Sequence, residues 1–73
     1  MRAAGEVRVK VLLNGSPHEV DEGTTAAQLV VLAGAPPTGV AVALDGAVLP
    51  RTRWSTVVSD GATVEVLTAV QGG

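Results

Sequence analysis

The sequence predicts an α+β fold in which a mixed sheet of four to five strands carries one main helix on one face. Segments near both ends of the chain alternate apolar and polar residues, which is the period of a half-buried strand. Between them, residues 24–33 repeat apolar residues at helical spacing. Because no other segment is able to cover the sheet, this helix is expected to pack against it and supply the second layer of the core.

The first predicted element is a hairpin. From Val7 to Leu13 every second residue is apolar and falls on one face, and Arg8 and Lys10 fall on the other. Asn14-Gly15 follows, and this pair is typical of a type I′ turn, whose two central residues need positive φ. Residues 17–20 are therefore predicted to be the return strand.

The helix is predicted over residues 24–33. Thr25 and Gln28 have the spacing of a capping box. Gly34 is a suitable C-terminal stop, and Pro36-Pro37 prevents continuation of the helix. The residues expected to form its apolar face are Ala26, Leu29, Val30 and Ala33.

The second half of the chain predicts a second hairpin and a last strand. Residues 40–44 and 47–49 are joined by Asp45-Gly46, again a type I′ signal. The polar loop after them is expected to fold Trp54 onto the edge of the core. Residues 64–70 alternate as the last strand. First and last strands rich in inward valine suit the sheet centre, side by side and parallel, which is a β-grasp arrangement.

Length and composition indicate one domain over residues 1–73, with residues 1–5 as a flexible leader and residues 71–73 as a flexible tail. There is no cysteine and only one histidine, so we expect no metal site. A net charge of −2 argues against a nucleic-acid surface. No apolar run reaches the roughly 20 residues of a membrane span, and no signal peptide is recognisable. We expect a cytoplasmic protein that is monomeric on its own.

Four stretches of the chain resemble the ThiS family of ubiquitin-like sulfur carriers. They cover most of the sequence from residue 7 and include the Pro-Arg-x-x-Trp segment at 50–54 and the terminal Gly72-Gly73. Two positions depart from the family's usual pattern, Asp45 where Asn is frequent and Ala62 where an acidic residue is frequent. The four stretches are residues 11–15, 21–29, 42–54 and 60–73.

The resemblance implies a chemistry centred on Gly73. A ThiF-like adenylyltransferase would use ATP and magnesium to adenylate its carboxylate, and sulfide or a persulfide enzyme would convert it to a thiocarboxylate. A ThiG-like thiazole synthase would then take the sulfur. Gln71 and Gly72 complete the flexible tail, and Gly lacks the Cβ that would obstruct a narrow channel. The chain itself would bind no cofactor. It contains no nucleophile–base pair, phosphate loop or paired-carboxylate motif, so we expect a carrier with no catalytic residue.

The residues that would dock a partner have two interpretations each. Leu12 and Leu67 point away from the valine face of their strands. They form either an exposed apolar patch beside the tail or a minor second core layer. Arg51 and Trp54 form either a partner surface or a loop packed on the core.

Other functions remain open on the sequence alone. One is a MoaD-like carrier for molybdopterin synthesis, or a carrier for another sulfur-containing product. Another is a ubiquitin-like modifier joined to lysine through Gly73. The last is an interaction module with an inert tail, for which the end of the chain is simply frayed.

Overall fold

The computed structural model describes residues 7–36 and 38–68. Within them lie five strands, one α-helix and one turn of 3₁₀ helix. The predicted leader (residues 1–5), the end of the predicted last strand (Ala69 and Val70) and the tail (residues 71–73) fall outside the described residues. In chain order the elements are β1 (Arg8–Leu13), β2 (Ser16–Asp21), α1 (Ala26–Leu32), β3 (Val40–Leu44), β4 (Ala47–Leu49), the 3₁₀ helix (Arg51–Arg53) and β5 (Thr63–Thr68).

The five strands form one mixed sheet in the order β2-β1-β5-β3-β4. β1 and β5 are parallel and adjacent at its centre, with Leu12 opposite Thr63 and Leu13 opposite Val64. The other neighbouring strands are antiparallel. Parallel neighbours need a crossover connection, and here the chain between β1 and β5 supplies it. The prediction that the first and last strands pair in parallel at the centre is confirmed.

Both hairpins close through the turn residues that the sequence predicted. Asn14 and Asp45 each have φ 51°, and the following Gly15 and Gly46 have φ 83° and 86°. Two consecutive residues with positive φ define the type I′ turn, whose twist matches that of the flanking strands. The registers of β1 with β2 and of β3 with β4 follow from these turns.

The helix is shorter than predicted because Thr25 is its N-cap and the first helical residue is Ala26. The capping box is confirmed, since the Gln28 N–H donates to Thr25 Oγ1 at 3.3 Å and the Thr25 N–H donates to Gln28 Oε1 at 2.9 Å. The next two N–H groups, of Ala26 and Ala27, donate to the carbonyls of Thr56 and Trp54. The segment after the 3₁₀ helix therefore satisfies the helix donors that have no partner within the helix.

The core lies between α1 and one face of the sheet. β1, β3 and β5 direct alternate residues towards it, and α1 contributes Leu29, which is fully buried. Among the described residues no polar or charged residue is buried. Apolar burial therefore supplies the main stabilisation of the fold. The buried core residues are Val9, Val11, Leu13, Val20, Ala26, Leu29, Val30, Val42, Trp54, Val58, Ala62, Val64 and Val66.

Candidate functional site

β5 is the strand that leads into the predicted tail, and hydrogen bonds hold it from both sides. At its start, the Thr63 N–H donates to Asp45 Oδ1 at 2.8 Å and the Asp45 N–H donates to the Thr63 carbonyl at 2.7 Å. On the β1 side, the Asn14 N–H donates to the Val64 carbonyl at 2.9 Å. The pairing with β3 continues as far as Thr68, opposite Val40. The described part of β5 is thus fixed within the sheet.

The predicted reactive residue Gly73 and the predicted tail residues Gln71 and Gly72 lie outside the described residues. Thr68 is the last described residue, and five residues separate it from the end of the chain at Gly73. An extended chain spans at most about 3.6 Å per residue, so Gly73 lies no more than about 18 Å from Thr68. Any chemistry at the Gly73 carboxylate therefore takes place close to the carboxyl end of β5.

The sheet face opposite α1 is not covered by any described element. Leu12 and Leu67 lie on this open face with 42% and 61% of their surfaces exposed. The interpretation of these two leucines as a second core layer is therefore wrong, and they are surface residues. Leu12 is paired with Thr63, so Leu67 lies four residues further along β5, about 13 Å away at the usual rise of a strand. The exposed Glu65 lies between them on the same face.

Leu67 lies beside small side chains at the carboxyl end of β5. It is paired across the sheet with the exposed Ala41 of β3. A shallow cavity of about 320 Å³ lies here, lined by Gly39, Val40, Ala41, Leu67 and Thr68. Among the described residues, this end of the open face is therefore the apolar surface nearest to Gly73 along the chain.

Arg51 and Trp54 lie on the other side of the molecule. Trp54 is only 9% exposed and belongs to the core, and its Nε1–H donates to the Leu49 carbonyl at 3.2 Å. The Arg51 guanidinium lies 4.8 Å from the centre of the indole ring, within the range of a cation–π contact. The predicted folding of Trp54 onto the core is confirmed. Both residues border a cavity of about 450 Å³ beside α1.

The four residues predicted to dock a partner are thus divided between two surfaces. Leu12 and Leu67 lie on the open sheet face, whereas Arg51 and the little-exposed Trp54 lie on the helix side. A single flat partner surface would not contact both groups at once. Docking through either group stays a prediction, and the open face is the one that includes β5.

The sequence did not predict the side-chain contacts that hold β5. Asn14 and Asp45 were predicted only as turn residues, yet each also accepts a hydrogen bond from a β5 backbone N–H. Asp60 does the same for β1, since its Oδ1 accepts from the Lys10 N–H at 2.8 Å. The sequence held a weak signal for these contacts. Each of the three turns has Asn or Asp, whose side chain can accept a hydrogen bond, at a position where Gly would also fit the turn.

No helix within residues 7–36 and 38–68 has both the length and the apolar character needed to cross a bilayer. α1 itself has seven residues. A crossing helix needs about 20.

The sheet order, the parallel central pair and the single helix define a ubiquitin-like β-grasp protein, with its last strand at the centre of the sheet. The model of the ThiS family matches residues 11–73. The crystal structure of the thiamine biosynthesis protein ThiS from Geobacter metallireducens is similar, with a TM-score of 0.72 and 33% identity, over 89% of this chain and 100% of that one. No curated protein matches the sequence. The chain belongs to the ThiS family.

Proposed function

We propose that the chain is a sulfur carrier of thiamine biosynthesis and that its Gly73 carboxylate carries the sulfur. The observation behind the proposal is the extent of the family match, which runs from residue 11 to Gly73 and so includes the Gly72-Gly73 end. The central position of β5 is consistent with it, because the strand that leads into the tail has a neighbouring strand on each side.

The proposed chemistry has two steps, both carried out by partners. In the first, an oxygen of the Gly73 carboxylate attacks the α-phosphorus of ATP, and pyrophosphate leaves. In the second, a sulfide or persulfide sulfur attacks the carbonyl carbon, and AMP leaves with the carboxylate oxygen. With a persulfide, the S–S bond must also be cleaved by reduction. The result is a thiocarboxylate. The adenylate is needed because a free carboxylate lacks a good leaving group.

The chain contributes the substrate group and no catalytic group to this reaction. A ThiF-like adenylyltransferase would supply the ATP and magnesium site, and a ThiG-like thiazole synthase would accept the sulfur. Gly72 and Gly73 suit passage into both active sites, because a residue without Cβ occupies the least space and adopts the widest range of φ. The protein would act in the cytoplasm, where these partners and ATP are present.

The open sheet face is the surface that we assign to partner docking. Leu67 and the cavity beside it adjoin the end of β5, so a partner bound there is within about 18 Å of Gly73. Leu12 extends the same face towards β2. Exposed apolar side chains that a partner buries gain favourable transfer free energy, and the polar residues between them fix the register of docking.

Intact-protein mass spectrometry tests the proposal directly. The full-length chain is incubated with ATP, magnesium, sulfide and a ThiF-like adenylyltransferase, and a variant that lacks Gly73 is the matched control. We expect the full-length chain alone to gain the mass of one oxygen-to-sulfur exchange. Addition of a ThiG-like thiazole synthase and its other substrates should then return the original mass.

Other results of the same experiment contradict the proposal in distinct ways. A thiocarboxylate that the thiazole synthase does not consume would indicate a carrier for molybdopterin or another product. Isopeptide conjugates to lysine, without sulfur, would indicate a protein modifier. The mass of the chain could also stay unchanged with an adenylyltransferase that is active on its own carrier. That result would indicate an interaction module with an inert tail.

A further inference from the structure

We propose that Asn14 is a positioning residue for the tail. Its side chain supplies a hydrogen-bond acceptor to β5 where the backbone of β1 no longer does so, and it fixes the direction in which β5 leaves the sheet. The role of the tail rests on the proposed function. The contact itself is between Asn14 Oδ1, which accepts, and the Val66 N–H, which donates, at 2.7 Å in a partly buried position.

The contact occurs where β1 ends before β5 does. In the parallel pair the Leu12 N–H donates to the Ala62 carbonyl and the Asn14 N–H donates to the Val64 carbonyl. The next rung would join the Val66 N–H to the backbone carbonyl of Asn14. At Asn14, however, the chain turns into the hairpin with φ 51°. The side-chain oxygen takes the place of that carbonyl and extends the β1 side of the pairing by one rung.

This bond is the last that β5 receives from the β1 side among the described residues. Beyond Val66 the described strand is held by β3 alone, through the pairing that ends at Val40 and Thr68. A strand with hydrogen bonds on one side only is restrained less than one with bonds on both sides. Asn14 therefore restricts the direction of β5 two residues before Thr68 and seven residues before Gly73.

Asp45 provides a matched control within the same strand. It has the same φ of 51° and the same position in a type I′ turn, and its Oδ1 also accepts from a β5 backbone N–H, that of Thr63, at 2.8 Å. The bond of Asp45 lies at the start of β5, and that of Asn14 lies near its end. If the two side chains only stabilise the fold, loss of either acceptor should have a similar effect on the reaction at the tail. A positioning role predicts an effect on the tail from Asn14 only.

The test compares Asn14→Gly, Asn14→Asp and Asp45→Gly with the unchanged chain. Glycine adopts positive φ without strain, and Gly-Gly is an accepted type I′ pair, so both glycine variants keep the turn and lose only the acceptor. Asn14→Asp keeps an acceptor oxygen. Thiocarboxylate formation by a ThiF-like adenylyltransferase gives kcat and KM for each chain as substrate, and thermal unfolding gives the stability of each.

We expect Asn14→Gly to lower kcat about three- to tenfold, the factor that corresponds to one lost hydrogen bond, with KM nearly unchanged because the open face is intact. Asn14→Asp and Asp45→Gly should keep the kcat of the unchanged chain within about twofold. Equal kcat in Asn14→Gly and Asp45→Gly would overturn the proposal. A higher KM with unchanged kcat in Asn14→Gly would also overturn it, since that result indicates docking.

A second measurement tests whether Asn14 orients the end of β5, and it does not depend on the sulfur chemistry. In Asn14→Gly, NMR should show faster hydrogen exchange of the Val66 amide and a lower backbone order parameter at Thr68, whereas Asp45→Gly should leave both unchanged. An unchanged order parameter at Thr68 in Asn14→Gly would refute the positioning role. If the unchanged chain gains no sulfur, the proposed function fails, and this comparison still decides whether Asn14 orients the strand.

Discussion

Leu67→Ala is the substitution that tests docking through the open sheet face most sharply. The change removes three carbon groups, each of which contributes about 0.8 kcal/mol when it is buried. Leu67 is 61% exposed in the free chain, so complete burial by a partner recovers about that fraction of the transfer free energy. The expected loss is therefore about 1.5 kcal/mol of docking free energy, or about a tenfold higher KM for the chain as a substrate of its adenylyltransferase.

The same reasoning gives the expected change of KM for two further alanine variants, which serve as comparisons for Leu67→Ala. Leu12 is 42% exposed, so Leu12→Ala should lose about 1 kcal/mol, or about fivefold in KM. Val31 is 77% exposed but lies on α1, beside the cavity that Arg51 and Trp54 border. If docking uses the open face alone, Val31→Ala leaves KM unchanged despite the greater exposure of Val31.

Steady-state kinetics of thiocarboxylate formation at varied carrier concentration measures KM for all three variants. Unfolding in urea is the control, because substitutions of exposed side chains away from special features should change the free energy of unfolding by no more than about 0.5 kcal/mol. A larger rise of KM in Val31→Ala than in Leu67→Ala would place docking on the helix side. An unchanged KM in Leu67→Ala, with unfolding also unchanged, would refute the assignment of the open face.

Two further predictions concern the stability of the fold. Leu29→Ala should lower the free energy of unfolding by about 2–5 kcal/mol, because Leu29 is fully buried between α1 and the sheet; a loss below 1 kcal/mol in urea unfolding would contradict its place in the core. Thr25→Ala should cost about 1 kcal/mol by removing the N-cap acceptor, while Thr25→Ser keeps it; equal stability of the two variants would show that the capping box contributes nothing.

Local signals in the sequence predicted most of the secondary structure. The hairpins were predictable because Asn14-Gly15 and Asp45-Gly46 combine a turn signal with flanking alternation, and both turns have the expected positive φ. Residues 40–44 were predicted as a strand with the bounds that the structure gives. The helix was predicted too long at both ends, because Thr24 and Ala33 have compatible sequence but the cap residue is Thr25. Propensity does not resolve such boundaries.

The surfaces were harder to predict than the elements, because they depend on contacts between distant segments. Alternation placed Leu12 and Leu67 on the face opposite the valines, but whether another segment covers that face is decided by the whole chain. The contact of Asn14 with Val66 joins residues 52 positions apart, and no local pattern indicates it. The separation of Arg51 from the open face likewise follows from the path of the chain after β4.

The place of β5 between β1 and β3 makes the sheet depend on its last strand. β1 pairs with β2, β3 pairs with β4, and only β5 joins the two pairs. Without β5 the chain would contain two separate hairpins, and an isolated two-stranded hairpin has at most marginal stability in water. Insertion of β5 therefore completes the sheet and presents the tail in the same event. A partner that requires both the open face and the tail thereby selects molecules that have finished folding.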